Sequence, residues 1–106
     1  MIYELRTYVI PPGRMPDILN RFRTRTMDIF ARHGFDVVGF WTVTEPADRE
    51  LVYLLRWESP AASEAGWAAF RADPEWVETR RVTEADGAIV EEVQEKTLVT
   101  TDFSPL

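Results

Sequence analysis

The residues best suited to chemistry lie close to the beginning of the chain, within residues 2–10. Glu4, Arg6 and Tyr8 occupy alternate positions there, so in a β-strand their side chains project from the same face. In a cavity shielded from water, an arginine can hold a carboxylate or enolate oxygen, and Glu4 or Tyr8 can transfer a proton. These three residues are therefore candidate catalytic groups.

Arg56 is a candidate ligand-binding residue in another predicted strand, residues 51–58. We expect it to share a face with Glu4 and Arg6, turned away from the helices. Charges in an apolar interior are costly unless they are paired. One interpretation is therefore an ion pair between Glu4 and Arg56 that fixes the strand register. The other is a polar floor of an aromatic cavity, and we expect a mixture in which Glu4 pairs with one arginine and leaves the other free.

His33 is the only histidine, and it falls in the last turn of a predicted helix. It is either a partly buried residue favoured by the helix dipole, or a general base or haem ligand. A metal site needs several converging ligands at suitable spacing, which the sequence lacks, so we expect neither a metal nor another cofactor. Hydrolase and nucleotide-dependent activities are disfavoured, because the sequence contains neither a glycine-rich phosphate-binding loop nor a nucleophile-elbow motif.

Aromatic residues supply further candidates. Trp41 and Tyr53 are candidate ligand-binding residues, within a set that also contains Trp57, Trp67 and Trp76. Such a set of aromatic side chains can line a ligand-binding pocket. Aromatic residues at strand and helix spacing more commonly form the core, so both interpretations remain open.

Composition limits the classes of protein to consider. A chain of 106 residues is one domain. Its net charge of −6 argues against nucleic-acid and anionic-membrane partners. With no cysteine, there is no disulfide framework and no thiolate site. No apolar run approaches the ~20 residues that span a bilayer, and Met1 leads directly into a strand. We therefore expect a cytoplasmic protein.

The elements that position these residues alternate in type. We predict strands over 2–10, 36–44, 51–58 and 89–101, and a helix over 14–33. A further helical region follows Ser59-Pro60 and restarts at Asp73-Pro74, where each pair supplies a cap and a first-turn proline. The order βαββαβ predicts a ferredoxin-like α+β fold. Its antiparallel sheet has the first and third strands in the centre and both helical regions on one face.

The packing of both sheet faces can also be predicted. We expect Trp67 and Phe70 to pack with the first helix against the sheet. Residues 37–41 and 51–55 show little alternation between apolar and polar side chains, as is typical of strands buried on both faces. The chain has no further element to cover the second face. We therefore predict a homodimer in which two sheets pack face to face.

The sequence resembles the NIPSNAP family. The resemblance rests on residues 3–8 (YELRTY), on Gly13 after the first strand, and on residues 57–76, especially AAFxxDPEW at 68–76. It implies the dimeric α+β barrel superfamily, which includes cofactor-independent oxygenases, isomerases, haem-handling enzymes and small stress-related proteins. The family offers no agreed catalytic residues to transfer, so it implies fold and dimer more directly than a reaction.

Two functions follow as hypotheses. The first is a homodimer that binds a small apolar or aromatic molecule in the barrel cavity without transforming it. The second is a cofactor-independent monooxygenase, isomerase or cyclase acting on an aromatic or polyketide-like substrate, which needs only orientation and enolate stabilisation. Either hypothesis requires a cavity of roughly 300 Å³ or more on which unpaired polar groups converge.

Overall fold

The computed structural model describes residues 1–106 and contains one sheet and one helical layer. The strands are β1 (Ile2–Val9), β2 (Asp36–Thr42), β3 (Glu50–Trp57) and β4 (Glu92–Leu98). The helical layer comprises α1 (Met15–Arg21), a π-helical segment (Phe22–Thr26), α2 (Met27–Arg32), α3 (Pro60–Ala72) and α4 (Pro74–Thr83). The predicted order is confirmed, although the first helical region contains a π turn that the sequence did not predict.

The sheet has the strand order β2-β3-β1-β4, and every neighbouring pair is antiparallel. β1 and β3 are therefore central and β2 and β4 are edges, as predicted. Arg6 of β1 lies opposite Tyr53 of β3 and Glu95 of β4. The arrangement is an antiparallel, ferredoxin-like α+β fold, and it confirms the predicted fold class.

The helices begin where the sequence indicates. The Ser59 hydroxyl accepts a hydrogen bond from the Ala62 N–H at 3.1 Å, and Pro60 opens α3. Asp73 ends α3 and caps α4, since its carboxylate accepts from the Glu75 N–H at 2.8 Å. Serine and aspartate satisfy N–H groups that have no partner inside a helix. The Ser59 cap therefore begins α3 soon after β3, and the Asp73 cap separates α3 from α4.

The core lies between the helices and one face of the sheet. Trp67 and Phe70 are buried there, which confirms the predicted packing of α3. They belong to a cluster of 13 buried hydrophobic residues. The cluster consists of Ile10, Ile18, Phe22, Ile29, Phe30, Phe35, Leu51, Tyr53, Leu55, Trp57, Trp67, Phe70 and Ile89.

The face predicted for Glu4 and Arg6 is wrong. Glu4 lies opposite Leu55 and contacts Trp67 of α3, so this alternate set of β1 side chains points toward the helices. The physical reason is that the helix side offers Glu4 hydrogen-bond donors, which offset the cost of burying its charge. Arg56 does face away from the helices, opposite Tyr3. The ion pair predicted between Glu4 and Arg56 therefore does not form.

The last strand is shorter than predicted. It begins at Glu92 and ends at Leu98, whereas the prediction covered residues 89–101. Ile89 is fully buried before the strand begins and belongs to the core cluster. Every residue of β4 is exposed, as suits an edge strand that no helix covers. None of the helices combines the length and the apolar character that crossing a membrane requires.

No helix covers the second face of the sheet, although Tyr3 on that face is buried. It carries Leu5, Val52 and Leu54, which are half-buried, and Trp41, which is 53% exposed. The Trp41 ring lies over Gly39, where an added Cβ would stand only 3.0 Å from the indole. This surface, formed by Leu5, Trp41, Val52 and Leu54, is called the open sheet face below.

Candidate ligand-binding cavity

A cavity of about 300 Å³ lies between the helix side of the sheet and the helices. Its walls are mainly aromatic, and its exposed rim carries Arg71 and Arg80 from the helices and Glu91 to Val93 from the β4 side. The aromatic lining comprises Tyr8, Phe22, Phe30, Trp67, Phe70 and Trp76. The site is therefore enclosed by helices and strands and opens toward the edge strand.

Glu4 lies next to this cavity and is the acceptor of several hydrogen bonds. One carboxylate oxygen accepts from the indole N–H groups of Trp57 and Trp67, both at 2.9 Å, and from the Ser63 hydroxyl at 3.2 Å. The other accepts from Arg6 Nη1 at 2.8 Å. Burial raises the pKa of Glu4, but the hydrogen bonds from Trp67 and Arg6 outweigh it, and the pKa lies below its usual value. A carboxylate held by four donors is poorly suited to accept a substrate proton.

Arg6 lies on the cavity wall, where its guanidinium stacks 4.2 Å from the centre of the Trp67 ring. Its Nη1 also donates to the exposed Glu95 carboxylate at 2.7 Å. Burial lowers the pKa of Arg6, but neighbouring Tyr53 and Tyr8, with the Glu4 carboxylate, raise it above its usual value. Arg6 is therefore a fixed cation at the cavity.

Tyr8 and Tyr53 form a pair of phenols beside Arg6. Their hydroxyl oxygens are 2.8 Å apart and their rings meet edge to face. Tyr53 is fully buried, whereas Tyr8 lines the cavity. Burial and the neighbouring Tyr8 raise the pKa of Tyr53 well above its usual range. Tyr53 is thus a neutral phenol, and if it donates to Tyr8, the Tyr8 O–H is free to donate to a ligand.

Arg21 enters the cavity from the opposite wall. Its Nη1 donates to the Glu84 carboxylate at 3.1 Å and to the Thr83 hydroxyl at 3.2 Å. Its guanidinium lies 4.9 Å from the centre of the Trp76 ring. Burial lowers the pKa of Arg21 and the carboxylate of Glu84 only partly opposes this shift. Arg21 is a buried cation whose charge is incompletely compensated.

The π-helical segment forms part of the same wall. The Met27 N–H donates to the Phe22 carbonyl, five residues earlier, in place of the usual four-residue spacing. Phe22 and Thr26 are buried and line the cavity. Short π-helical turns inside helices occur often at functional sites, and this one lies directly at the cavity.

Three buried polar atoms in the protein have no hydrogen-bond partner: Arg6 Nε, Arg21 Nε and Thr26 Oγ1. All three belong to residues that line this one cavity. Buried polar atoms in folded proteins are almost always hydrogen-bonded, and leaving one unpaired costs about 1–3 kcal/mol. Three residues with an unpaired polar atom therefore line a single cavity, as is expected next to a binding site.

A second, more polar cavity of about 330 Å³ adjoins the first. Arg6, Trp67 and Arg71 line both cavities and form the partition between them. The second cavity also contains Glu4, Ser63 and Glu95, whose polar atoms are already engaged with one another or with Arg6. The first cavity therefore has the stronger features of a site.

His33 lies away from the cavity. Its Nε2 is 2.7 Å from an Asp73 carboxylate oxygen, and Arg32 binds the same oxygen. The hydrogen bond from His33 lowers the pKa of Asp73 to about 2, against opposing burial and with help from the Glu75 N–H and Arg32. His33 thus joins the end of α2 to the junction of α3 and α4. No group of three histidine and carboxylate side chains is placed to bind a metal ion.

Arg56 and Trp41 also lie outside the cavity, on the side of the sheet that faces away from the helices. Arg56 Nε donates to Asp36 at 2.8 Å across the edge of the sheet, and both side chains are well exposed. The expectation that one arginine would lack a carboxylate partner is wrong, because Arg6 and Arg56 are both paired. The structure brings together Glu4, Arg6, Tyr8 and Tyr53, and it separates His33, Trp41 and Arg56 from them.

Sequence reasoning missed most polar residues of this cavity, including Arg21 and Glu84. Arg21 is a charged residue of the first helical region, yet it is buried. One signal was available: Arg21 directly precedes Phe22 on the inward side, where a wide stripe includes neighbouring positions. Glu84 lies 63 residues away in sequence from Arg21, and no local pattern connects them.

Comparison with known proteins places the chain among relatives of similar size. The family model described as NIPSNAP matches residues 3–105. Protein Atu4242 of Agrobacterium tumefaciens is 26% identical with a TM-score of 0.87, over 100% of this chain and 99% of that one. An uncharacterized NIPSNAP domain protein of Burkholderia xenovorans is 23% identical with a TM-score of 0.85, over 99% of each chain.

More distant relatives share the fold alone. A putative antibiotic biosynthesis monooxygenase of Nitrosomonas europaea is 12% identical with a TM-score of 0.65, over 94% of this chain and 98% of that one. Among curated proteins, none matches the sequence significantly. Because the family model covers nearly the whole sequence, the chain belongs to the NIPSNAP family.

Proposed function

We propose that this protein binds a small, largely aromatic molecule in the cavity between the sheet and the helices. The observation that carries the proposal is that the three residues with an unpartnered buried polar atom, Arg6, Arg21 and Thr26, all line that cavity. The site lies on the helix side of the sheet, whereas the sequence suggested the space between two sheets. A ligand that bonds to these atoms would remove the cost of leaving them unpaired.

The shape and lining of the cavity support a ligand of this class. Its volume of about 300 Å³ is at the lower end of the range for small-molecule sites, which are mostly apolar with a few placed polar groups. Trp67 and Trp76 lie on its lining, each already stacked by an arginine. Flat aromatic ligands pack well against such rings.

The experiment is a binding screen with a matched pair of variants. Aromatic compounds of two rings are tested by thermal shift and by tryptophan fluorescence. Val93→Trp places a large side chain at the cavity rim, and Val77→Trp places the same side chain on exposed α4 outside the cavity. We expect Val93→Trp to weaken binding at least tenfold and Val77→Trp to change it less than twofold.

Two results would overturn the proposal. One is the absence of any compound that binds more tightly than about 1 mM. The other is a ligand whose affinity is unchanged in the Val93→Trp protein.

We propose further that a second copy of the chain covers the open sheet face. Its half-buried Leu5, Val52 and Leu54 and its exposed Trp41 support this, since such an exposed apolar surface is unusual for a monomer. Interfaces of this kind commonly bury ~2,000 Å² or more in total. We expect sedimentation to show a dimer at micromolar concentration and Leu54→Glu to yield a monomer. A wild-type monomer under these conditions would contradict the proposal.

A cofactor-independent enzyme is the second candidate, because Arg6 and Tyr8 line the cavity and the Tyr8 hydroxyl is hydrogen-bonded to Tyr53. Arg6 would stabilise an enolate oxygen and Tyr8 would donate or return its proton. The fold likeness to the putative antibiotic biosynthesis monooxygenase is compatible with this chemistry. The test measures oxygen consumption with phenolic ligands found in the screen. Tyr8→Phe should abolish turnover and retain binding, and equal turnover in both proteins would exclude this role.

A further inference from the structure

We infer that the ligand of this cavity is an aromatic carboxylic acid, and that Arg21 binds its carboxylate with help from Thr26. This inference rests on the proposed function, because it names the chemical class of the molecule that occupies the same cavity. It depends on three observations: which atoms of the arginines are used, how Thr26 differs from other threonines, and where the positive charge is left uncompensated.

The first observation is that each arginine uses only one end of its guanidinium. Arg6 donates through Nη1 to Glu4 and Glu95, and Arg21 donates through Nη1 to Thr83 and Glu84. Neither makes a hydrogen bond from Nη2, and Nε of each is buried without a partner. The Nε–Nη2 edge holds two parallel N–H groups that match the two oxygens of a carboxylate. Both residues line the cavity, and in both of them Nε and Nη2 make no hydrogen bond.

The second observation concerns the Thr26 hydroxyl. A threonine inside a helix usually donates to the carbonyl four residues earlier. Thr24 does so to the Asn20 carbonyl at 2.8 Å, and Thr83 does so to the Thr79 carbonyl at 2.7 Å. Thr26 makes no such bond, although it is only 2% exposed. The π-helical segment places Thr26 one turn beyond Arg21, and both residues line the cavity.

All these free groups can donate, and the arginine edges can only donate. The partner must therefore present acceptor oxygens. Hydrogen bonds from a cation to an anion are roughly twice as strong as those between neutral groups. A carboxylate fits the free edge better than a carbonyl, since it offers two acceptor oxygens in one plane.

The third observation distinguishes the two arginines. Arg6 is flanked by two carboxylates, Glu4 and Glu95. Arg21 has only Glu84, and Arg80 binds the same Glu84 oxygen at 3.2 Å. Two arginines thus share one carboxylate, which leaves an excess positive charge at this end of the cavity in a chain whose net charge is −6. The reduced pKa of Arg21 agrees with this incomplete compensation.

The aromatic part of the ligand then lies along the rings between the two arginines, toward Arg6 and Tyr8. There the free Arg6 edge and the Tyr8 hydroxyl can donate to a second oxygen, such as a carbonyl or phenol group. The two arginines therefore set the orientation of the ligand. Its carboxylate binds Arg21, and its neutral oxygen binds Arg6.

The test compares an acid with its neutral isostere. Binding of 2-naphthoic acid and of 2-naphthamide is measured by titration calorimetry with the full chain. We expect wild-type protein to bind the acid at least tenfold more tightly. Arg21→Met should remove this preference, Arg21→Lys should restore part of it, and Thr26→Val should weaken acid binding severalfold. Arg25→Met is the control, since Arg25 is an exposed arginine of the same π-helical segment that does not line the cavity.

Each outcome decides a specific point. Equal binding of acid and amide by the wild type overturns the carboxylate inference and leaves the proposed function intact. Binding of neither compound, nor of any other aromatic molecule in the screen, overturns both. Loss of the preference in Arg25→Met as well as in Arg21→Met would show a general charge effect and would refute the role of Arg21. If Arg21→Met does not fold, Thr26→Val and the wild-type comparison still decide the question.

Discussion

Replacing Glu4 by glutamine tests the central polar contact of the fold. In the native protein the carboxylate accepts four hydrogen bonds, from Arg6, Trp57, Trp67 and Ser63. A glutamine carbonyl can retain the three donors on one side. Its NH₂ group then faces Arg6 Nη1, and two donors meet where a charge-assisted bond existed.

The magnitude follows from this geometry. A hydrogen bond to a charged group contributes about 1.5–3 kcal/mol to stability. In the variant, the glutamine NH₂ group and Arg6 Nη1 are two donors that face each other without an acceptor, which adds a further cost. This added cost is limited, because Arg6 keeps its ion pair with Glu95. We expect Glu4→Gln to lower the free energy of unfolding by about 2–4 kcal/mol, close to the range for breaking a buried pair. Glu4→Leu should cost more, because both indole N–H groups then lose their acceptor.

The assay is urea unfolding at a fixed protein concentration, followed by tryptophan fluorescence and circular dichroism. Glu95→Gln is the matched control, since it removes the other carboxylate partner of Arg6, whose side chain is 65% exposed. An exposed pair contributes about 0–1 kcal/mol. If Glu4→Gln and Glu95→Gln lower stability equally, the buried network does not stabilise the fold as argued.

Two further predictions concern other contacts of the helical layer. Gly66→Ala should destabilise by up to about 2 kcal/mol. Overpacking costs about 1–3 kcal/mol, because the added Cβ would lie 2.6 Å from the buried Trp57 ring, and a helix-propensity gain of about 1 kcal/mol offsets part of this cost. Urea unfolding beside the exposed control Ala65→Gly is the assay, and a stabilised Gly66→Ala protein would contradict the close contact. The pKa of Asp73 is lowered from 3.8 to about 2. The contribution of its carboxylate to the free energy of unfolding is therefore complete above pH ~4 and is lost as the pH falls through 2. Asp73→Asn should flatten the stability profile over that interval, and parallel profiles for the two proteins would refute the contribution of Asp73.

The fold could be predicted because its signals are local. Ser59-Pro60, Asp73-Pro74 and the strand periodicities each depend on residues that are neighbours in sequence, and all of them agree on one element order. The cap at Asp73 was predicted, whereas its bond to His33 was not, because that contact joins residues 40 positions apart.

The face of β1 could not be predicted for a physical reason. Its two alternate sets of side chains both mix polar and apolar residues, so apolarity does not choose between them. The choice depends on donors from Trp57 and Trp67, which lie in other elements. The burial of Arg21 could not be predicted for a related reason: the arginine contacts Trp76 and Glu84, and both come from the distant α4 region.

The attachment of α4 has a consequence for the rate at which a ligand exchanges. At its beginning, Asp73 is bound by His33 and Arg32, and at its end, Thr83 and Glu84 are bound by Arg21. α4, which lines the cavity, is therefore hydrogen-bonded to the first helical region at both ends. It can swing outward only after one set of these bonds breaks. The residence time of a bound molecule would then follow the opening of this helix more closely than the strength of any single ligand contact.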